Sequence, residues 1–596
     1  MKLIGKITRI NGPLVTMEVL DIIQLMEMVY VSHLKLIGEI LSIEEKSAVI
    51  QVYEATEGLK LDDVVYGSGL PLSVELGPGL LSQIFDGIQR PLKSIAKESK
   101  SIFLKRGIYV SPLDKSKKWD FTPKISVNDK LDKGAIIGTV PETELVLHSV
   151  MIPPNMSGTV KSIVSAGKYT VDEVIGTLED EHGTIHELKL AHRWPVKLAR
   201  PYKTRYLPTK PLITGQRIVD IFFPVAKGGA VAIPGGFGTG KTITQHQLAK
   251  WSDAKIVVYV GCGERGNEIT EVLEEFPQLI DPHTGRPLFD RTVMIANTSN
   301  MPVTAREASI YTGITIAEYY RDMGYDVAVM ADSSSRWAEA LRELSGRLEE
   351  IPAEEGFPAY LGSKLASFYE RAGNVQVQSG MNGSVTMIAA VSPPGGDFSE
   401  PVTQNTKRFV RAFWQLDKYL ASARHYPSIN WIHSYSEYVD YVSAWWIKNI
   451  DVDAITIRQD AYNLLLREEK LQKIVKLIGP DALPDSERLV LEVAHMLKEG
   501  FLKQNAYDDI DMYTVPKKQI AILKLIILFY KETESIIQMG APIFEIRALQ
   551  CFPMIIRARL DIKNDELDQF DKLSLLITDE LNSLRLKYDR AIKGAN

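Results

Sequence analysis

The spacing of apolar positions changes along the chain, and each change predicts a different architecture. From residue 1 to about 70, short runs rich in β-branched residues (ITRI, LVTMEV, IGEILSIEEKSAVIQVYE) are cut by turns such as Asn11-Gly12-Pro13. Short strands at such close spacing predict a small N-terminal β-barrel, a platform without chemistry of its own. Residues 71–109 connect the barrel to the rest of the chain. Residues 110–190 are rich in Lys, Pro, Gly and Thr, with strand-like fragments AIIGTV and GTVKSIV. They read as an inserted β-rich module that carries no chemical motif. Over residues 191–435, apolar runs alternate with helical patterns: AVAI (230–233), IVVYV (256–260), TVMIA (292–296), DVAVMA (326–331) and VTMIAAV (385–391). That alternation predicts a mainly parallel sheet buried on both faces. From 436 to 596, AYNLLLREEKLQKIVKLI and SERLVLEVAHMLKEGFLKQ place apolar residues three and four apart, with Pro480, Pro484 and Pro516 as punctuation. This predicts a C-terminal helical bundle. The fold class is therefore multidomain α/β.

Composition narrows the class. The chain has 596 residues, 45% hydrophobic and 24% charged, which suits a globular protein with several cores and excludes a disordered or fibrous one. A net charge of -6 is no footprint for nucleic acid. The two cysteines, Cys262 and Cys551, make no disulfide framework, and a reducing compartment fits them best. The first fifteen residues are interrupted by Lys2, Lys6 and Arg9, which predicts no signal peptide. The most apolar stretch, IAILKLIILFY (520–530), is split by Lys524 and falls short of the ~20 residues that span a bilayer. The expectation is a chain with no membrane span, attached to a membrane, if at all, through partners.

The strongest chemical signal is the segment AVAIPGGFGTGKTITQHQLAK. Within it Gly235, Gly236, Phe237, Gly238, Thr239, Gly240, Lys241 and Thr242 match GxxxxGK[ST], between a buried strand and a helix. Glycines let successive backbone N–H groups turn toward phosphate oxygens, and the helix adds its positive end. Lys241 reaches the β- and γ-phosphates, and the Thr242 hydroxyl suits Mg²⁺. The expected ligands are ATP or ADP with Mg²⁺. An acidic residue for the metal is also expected at a neighbouring strand end, and DVAVMAD supplies Asp332, followed by Ser333-Ser334-Ser335 and Arg336. The competing reading of Asp332 is a helix cap. Strand IVVYV runs into Gly261-Cys262-Gly263-Glu264-Arg265-Gly266-Asn267-Glu268. Glu264 is the candidate general base or water-positioning group, with Arg265 and Glu268 beside it; a surface salt bridge is the competing reading.

Taken together, these residues resemble the catalytic A (alpha) subunit of V-type and archaeal-type rotary ATPases. The likeness is carried by SVELGPGLLSQIFDGIQRPL (73–92), ITGQRIVDIFFPVAKGGA (213–230), YVGCGERGNEIT (259–270), ANTSNMPVTAREASIYTGITIAEYYRDMGYDVAVMADSSSRWAEALRE (296–343), SPPGGDFSEPVTQNT (392–406) and RHYPSINW (424–431). It covers most of 1–110 and 190–440, and is weaker toward the C-terminus. The resemblance implies a P-loop, RecA-like nucleotide-binding domain and an alternating ring of three A and three B subunits. It also implies central rotor and peripheral stalks, and a peripheral place on the cytoplasmic face of the membrane. It implies ATP hydrolysis or synthesis coupled to H⁺ or Na⁺ movement, with Lys241, Glu264 and Arg265 in catalysis and Thr242 and Asp332 on Mg²⁺. It implies an adenine pocket at Tyr426 and Tyr507, where many relatives carry Phe, and an arginine supplied by the neighbouring B subunit. Residues 110–190 match the extra module that marks the A subunits. Two positions depart from the pattern: Gly236 stands where many relatives have proline, and Thr239 where eukaryotic relatives often have cysteine. A non-catalytic ring subunit would lack Lys241 or Glu264. The F-type β subunit, protein-export ATPases and RNA translocases are disfavoured by the module and the acidic charge.

Overall fold

The computed structural model describes residues 2–99, 106–281 and 284–594. Met1, 100–105, 282–283 and 595–596, and with them short pieces of the expected barrel, 71–109 connection, nucleotide-binding and helical segments, lie outside the described residues. The chain divides into two compact units, each assembled from separate stretches of sequence. One comprises residues 1–207, 227–232 and 254–410; the other comprises 208–226, 233–253 and 411–596.

In the first unit the N-terminal strands close into a six-stranded antiparallel barrel. Its order is Lys2–Asn11, Leu14–Val19, Ser47–Val52, Leu36–Glu44, Glu27–Val31 and Val64–Pro71. The apolar members of each alternating strand point inward, so Ile4, Ile7, Val15, Met17, Val29, Ile40, Ile50 and Val65 form its core. The inserted module consists of two four-stranded sheets. It is stitched to the long helix Val303–Asp322 by a buried polar cluster. Glu142 accepts from the N–H of Gly79 (2.7 Å), from His148 Nδ1 (2.7 Å) and from the Tyr320 hydroxyl (3.0 Å), while His148 Nε2 lies 2.8 Å from the Tyr319 hydroxyl. Every donor here is answered, which is what lets a carboxylate sit so deep.

The parallel sheet of this unit runs Asn382–Val391, Asp326–Asp332, Ile256–Glu264, Thr292–Thr298 and Gln83–Phe85, every neighbouring pair parallel. The last of these strands comes from the segment expected only to connect the barrel onward. Three residues of apolar and polar mix are too short to announce a strand by periodicity. Strands Gly373–Val377 and Tyr202–Tyr206 extend the opposite side antiparallel. Helix Val303–Asp322 is buried almost along its whole length. Gly313 lets it lie close on the sheet, because a Cβ there would collide with the Val260 side chain.

The second unit holds the last two residues of strand Ala230–Pro234, the loop after it, helix Lys241–Trp251 and the C-terminal helices. The longest of these are Ala454–Ile478, Asp485–Leu497, Pro516–Gln538 and Asp568–Gly594. The prolines mark helix starts as their chemistry requires: Pro484 caps Asp485–Leu497 and Pro516 opens Pro516–Gln538, where a missing N–H costs nothing. Residues 520–530 lie inside Pro516–Gln538, and among the described residues no helix is long and apolar enough to cross a membrane.

Candidate active site

Strand Ala230–Pro234 delivers the chain into the 235–240 loop, and helix Lys241–Trp251 leaves it. Gly240 is the residue before the helix, with φ of 87°, a left-handed conformation that favours glycine. Gly235 is required for a different reason: a Cβ there would meet Thr239 Oγ1 at 2.6 Å and Leu416 Cβ at 2.9 Å. The loop is braced by its own side chains. Thr239 Oγ1 donates to the Gly236 carbonyl at 2.8 Å, and the Lys241 ammonium donates to the carbonyls of Gly235 and Gly236, each at 2.8 Å. Thr239 thus closes the turn at a position where a cysteine, a weak donor, would not do so as well. Ser428 Oγ donates to the Thr239 carbonyl at 2.7 Å, and Leu416 N–H to the Pro234 carbonyl at 2.8 Å. Phe237 points to solvent, 79% exposed. Tyr426 lies beside the loop, since a Cβ on Gly240 would touch its ring at 3.5 Å. Tyr507 is exposed in the 505–514 turn segment, and the Gln504 N–H donates to the Tyr426 carbonyl at 2.7 Å, which joins the two tyrosine-bearing segments.

The acidic candidates stand in the other unit, on neighbouring parallel strands. Ile256–Glu264 pairs with Asp326–Asp332 so that Gly261 is opposite Asp332. On the other side, Cys262 pairs with Asn297 and Glu264 with Thr298, which leaves Gly263 as an extra residue. Gly263 has φ of 71°, and a Cβ there would press on Arg306 and on Arg336 Cβ at 2.8 and 3.0 Å. This bulge re-aims the strand end that carries Glu264, which feels the Asp332 charge. The Ser299 N–H fixes the Glu264 carbonyl at 2.8 Å. Burial, the Asp332 charge and the Glu268 carboxyl together push the Glu264 carboxyl up to about 9, and Arg336 offsets part of this. Asp332 is buried and lies 3.5 Å from the Tyr259 hydroxyl.

The cap reading of Asp332 does not match the geometry. The residue preceding helix Ser334–Arg347 is Ser333, and Asp332 ends the strand. The serine run instead ties the helix start to the adjacent strand: Ser334 Oγ donates to the Ala390 carbonyl at 3.0 Å, and Ser335 Oγ accepts from the Ser392 N–H at 2.8 Å. Arg336 pairs with Glu339 at 3.0 Å. Arg265 is exposed at the start of helix Gly266–Glu275. Glu264, Glu268, Asp332 and Arg336 therefore form one electrostatic cluster, and residues 235–242 with Tyr426 form another. Ser428, Gln504 and the bulge at Gly263 escaped the sequence reading. Gly263 left a trace, because glycine inside a strand signals a bulge. Ser428 and Gln504 left none, because each acts on a residue far away in sequence.

Comparison with known proteins agrees with this architecture. Residues 215–436 match the nucleotide-binding domain of the ATP synthase alpha/beta family, and 7–69 match that family's beta-barrel domain. Residues 110–197 match its barrel-sandwich domain, and 443–546 match the C-terminal domain of V and A type ATP synthase. The A subunit of the A-type ATP synthase of Methanopyrus kandleri is 57% identical over 94% of this chain and 95% of its own length. The V-type ATP synthase alpha chain of Halothermothrix orenii is 55% identical over 98% of this chain and 99% of its own length. Among solved structures, the assembled ATPase EscN from the type III secretion system of enteropathogenic E. coli superposes with a TM-score of 0.61. It covers 88% of this chain and 99% of its own, and at 19% identity it shows a shared fold.

Proposed function

Because the chain belongs to the A-subunit (alpha-chain) group of A-type and V-type ATP synthases, within the ATP synthase alpha/beta family, we propose that it carries the ATP-handling residues of a rotary machine. The backbone amides of 235–240, the start of helix Lys241–Trp251 and the Lys241 ammonium hold the β- and γ-phosphates. To do so Lys241 exchanges its two loop carbonyls for phosphate oxygens. Glu264 orients the attacking water, Arg265 binds phosphate charge, and Tyr426 and Tyr507 stack on the base. The observation that carries this reading is the acidic pair: a bulge precedes Glu264 at its strand end, and the charge of Asp332, which ends the adjacent parallel strand, acts on it.

A divalent cation fits the donor chemistry. Thr242 and Asp332 offer hard oxygen ligands, and among the described residues no cluster of three or more His, Cys, Asp or Glu forms a protein cage. Mg²⁺ takes few protein oxygens and completes its shell with substrate phosphates and water. When bound, it would stabilise charge on the transferring phosphoryl group. A cation held at Asp332 would offset one cause of the raised Glu264 carboxyl, which would favour the ionised form a base needs.

The assembly follows the family. B subunits alternate with this chain in a ring and contribute an arginine, stalk subunits couple turnover to H⁺ or Na⁺ movement, and the membrane is reached through partners. Phosphate recognition is tested with Lys241→Ala. Losing a charge-assisted contact is expected to weaken ADP and ATP binding by about 10- to 100-fold in calorimetry. Unchanged affinity would remove Lys241 from the site.

A further inference from the structure

Tyr426 and Tyr507 are 42% and 83% exposed, so packing of their own rings does little to hold them for a base. What holds their backbones is a buried polar clip centred on Gln504, itself 3% exposed. Its N–H donates to the Tyr426 carbonyl at 2.7 Å. Its Oε1 accepts from the Arg217 N–H at 2.9 Å, and its Nε2 donates to the carbonyls of Gly215 and Asp511, each at 2.8 Å. Both side-chain donors and the acceptor of this amide are engaged. Arg217, fully buried, continues the clip. It donates to Asp511 (2.7 Å), to the Thr514 hydroxyl (2.8 Å) and to the carbonyls of Phe501 (2.7 Å) and Lys503 (2.6 Å). Asp511 Oδ2 accepts from the Asn505 N–H at 2.7 Å and from Arg559. Asn505 Oδ1 accepts from the Tyr507 N–H at 3.0 Å. The turn that carries Tyr507 is therefore closed at Gln504 on one side and Asp511 on the other, and the same glutamine grips Tyr426.

We propose that Gln504 is a positioning residue for base recognition: it ties the Tyr426 backbone to the 504–511 turn so that both rings are presented to one nucleobase. The bonds of Gln504 go to backbone groups of Arg217, Gly215, Asp511 and Tyr426, so it acts through them. The residue type is specific. Glutamate has the same shape but would set a carboxylate against the carbonyls of Gly215 and Asp511, and asparagine is one methylene short of all three partners. The inference rests on the base-pocket reading of Tyr426 and Tyr507, and it predicts a split between two ligands that share a diphosphate. ADP uses the base pocket and the phosphate loop; pyrophosphate uses the loop alone.

The experiment is titration of the full-length chain with ADP and with pyrophosphate, each with Mg²⁺, for wild type and variants. Gln504→Glu is expected to weaken ADP by about tenfold, the size of one lost base–aromatic stack, and to leave pyrophosphate within about twofold. Asn505→Ala, at an exposed position, removes the acceptor under Tyr507 and is expected to weaken ADP alone by about threefold. Should Gln504→Glu fail to fold, the Asn505→Ala split decides. Equal weakening of both ligands, or no change in ADP, overturns the positioning role. If Tyr426→Ala and Tyr507→Ala leave ADP binding unchanged, the base-pocket reading itself fails and the inference with it.

Discussion

In the 235–242 loop, anion-binding capacity comes from backbone amides, a helix start and one ammonium, held by short-range hydrogen bonds from Thr239 and Lys241. In the Glu264–Asp332 pair, charge is concentrated on side chains at strand ends, partly or wholly buried, and the cost of that burial appears as a carboxyl pushed up to about 9. The first region is built to receive negative charge, and in the second burial and neighbouring carboxyls hold a proton on Glu264. That difference supports the different work proposed for them: affinity for phosphate in the loop, and control of a proton or a water at the carboxyl pair.

The contrast is sharpened most strongly at Glu264. Glu264→Gln keeps the size and the bulge but removes the base. In the assembled ring we expect kcat to fall by about 10³-fold, with ADP affinity within about twofold. Lys241→Ala should show the reverse emphasis, affinity lost first. Near-normal turnover in Glu264→Gln would break the comparison, as would a loss confined to affinity.

The smallest expected effect lies on the phosphate-loop helix. Burial pulls the His246 imidazole down to about 4 from its ordinary 6.5. The folded value is below the unfolded one, so the stability contributed by the neutral ring is complete above about pH 6.5 and is lost as pH falls toward 4. The slope is at most about 1.4 kcal/mol per pH unit. Urea midpoints measured from pH 7 to 5 should fall for wild type and fall less for His246→Gln. A steeper fall in the variant would contradict the assignment.

Much of this was legible in the sequence, for identifiable reasons. The buried strands announced themselves as continuous apolar runs, and Asp332 ends its strand where the DVAVMAD pattern put it. The barrel strands alternate and are closed by local turns such as Gly12, with φ of 58°. The 235–242 loop is a local motif, and the left-handed Gly240 before its helix has a local cause, while Gly235 is also required by the distant Leu416. What stayed hidden depends on partners distant in the chain. Strand Gln83–Phe85 exists because Thr292–Thr298 offers it an edge. Ser428 matters through Thr239, and Gln504 through Gly215, Arg217 and Tyr426. The two compact units interleave three stretches of sequence each, and no periodicity reports such an exchange.

The central claim is that this chain supplies most, but not all, of an ATP-handling site, the missing arginine coming from a neighbouring B subunit. The direct test is the ATPase rate of the purified full-length chain alone and after assembly with its B partner at equal chain concentration. Weak turnover is predicted for the chain alone, with a rise of about 10³-fold or more on assembly, the scale of an arginine acting in trans. A chain that alone matches the assembled complex would contradict the claim.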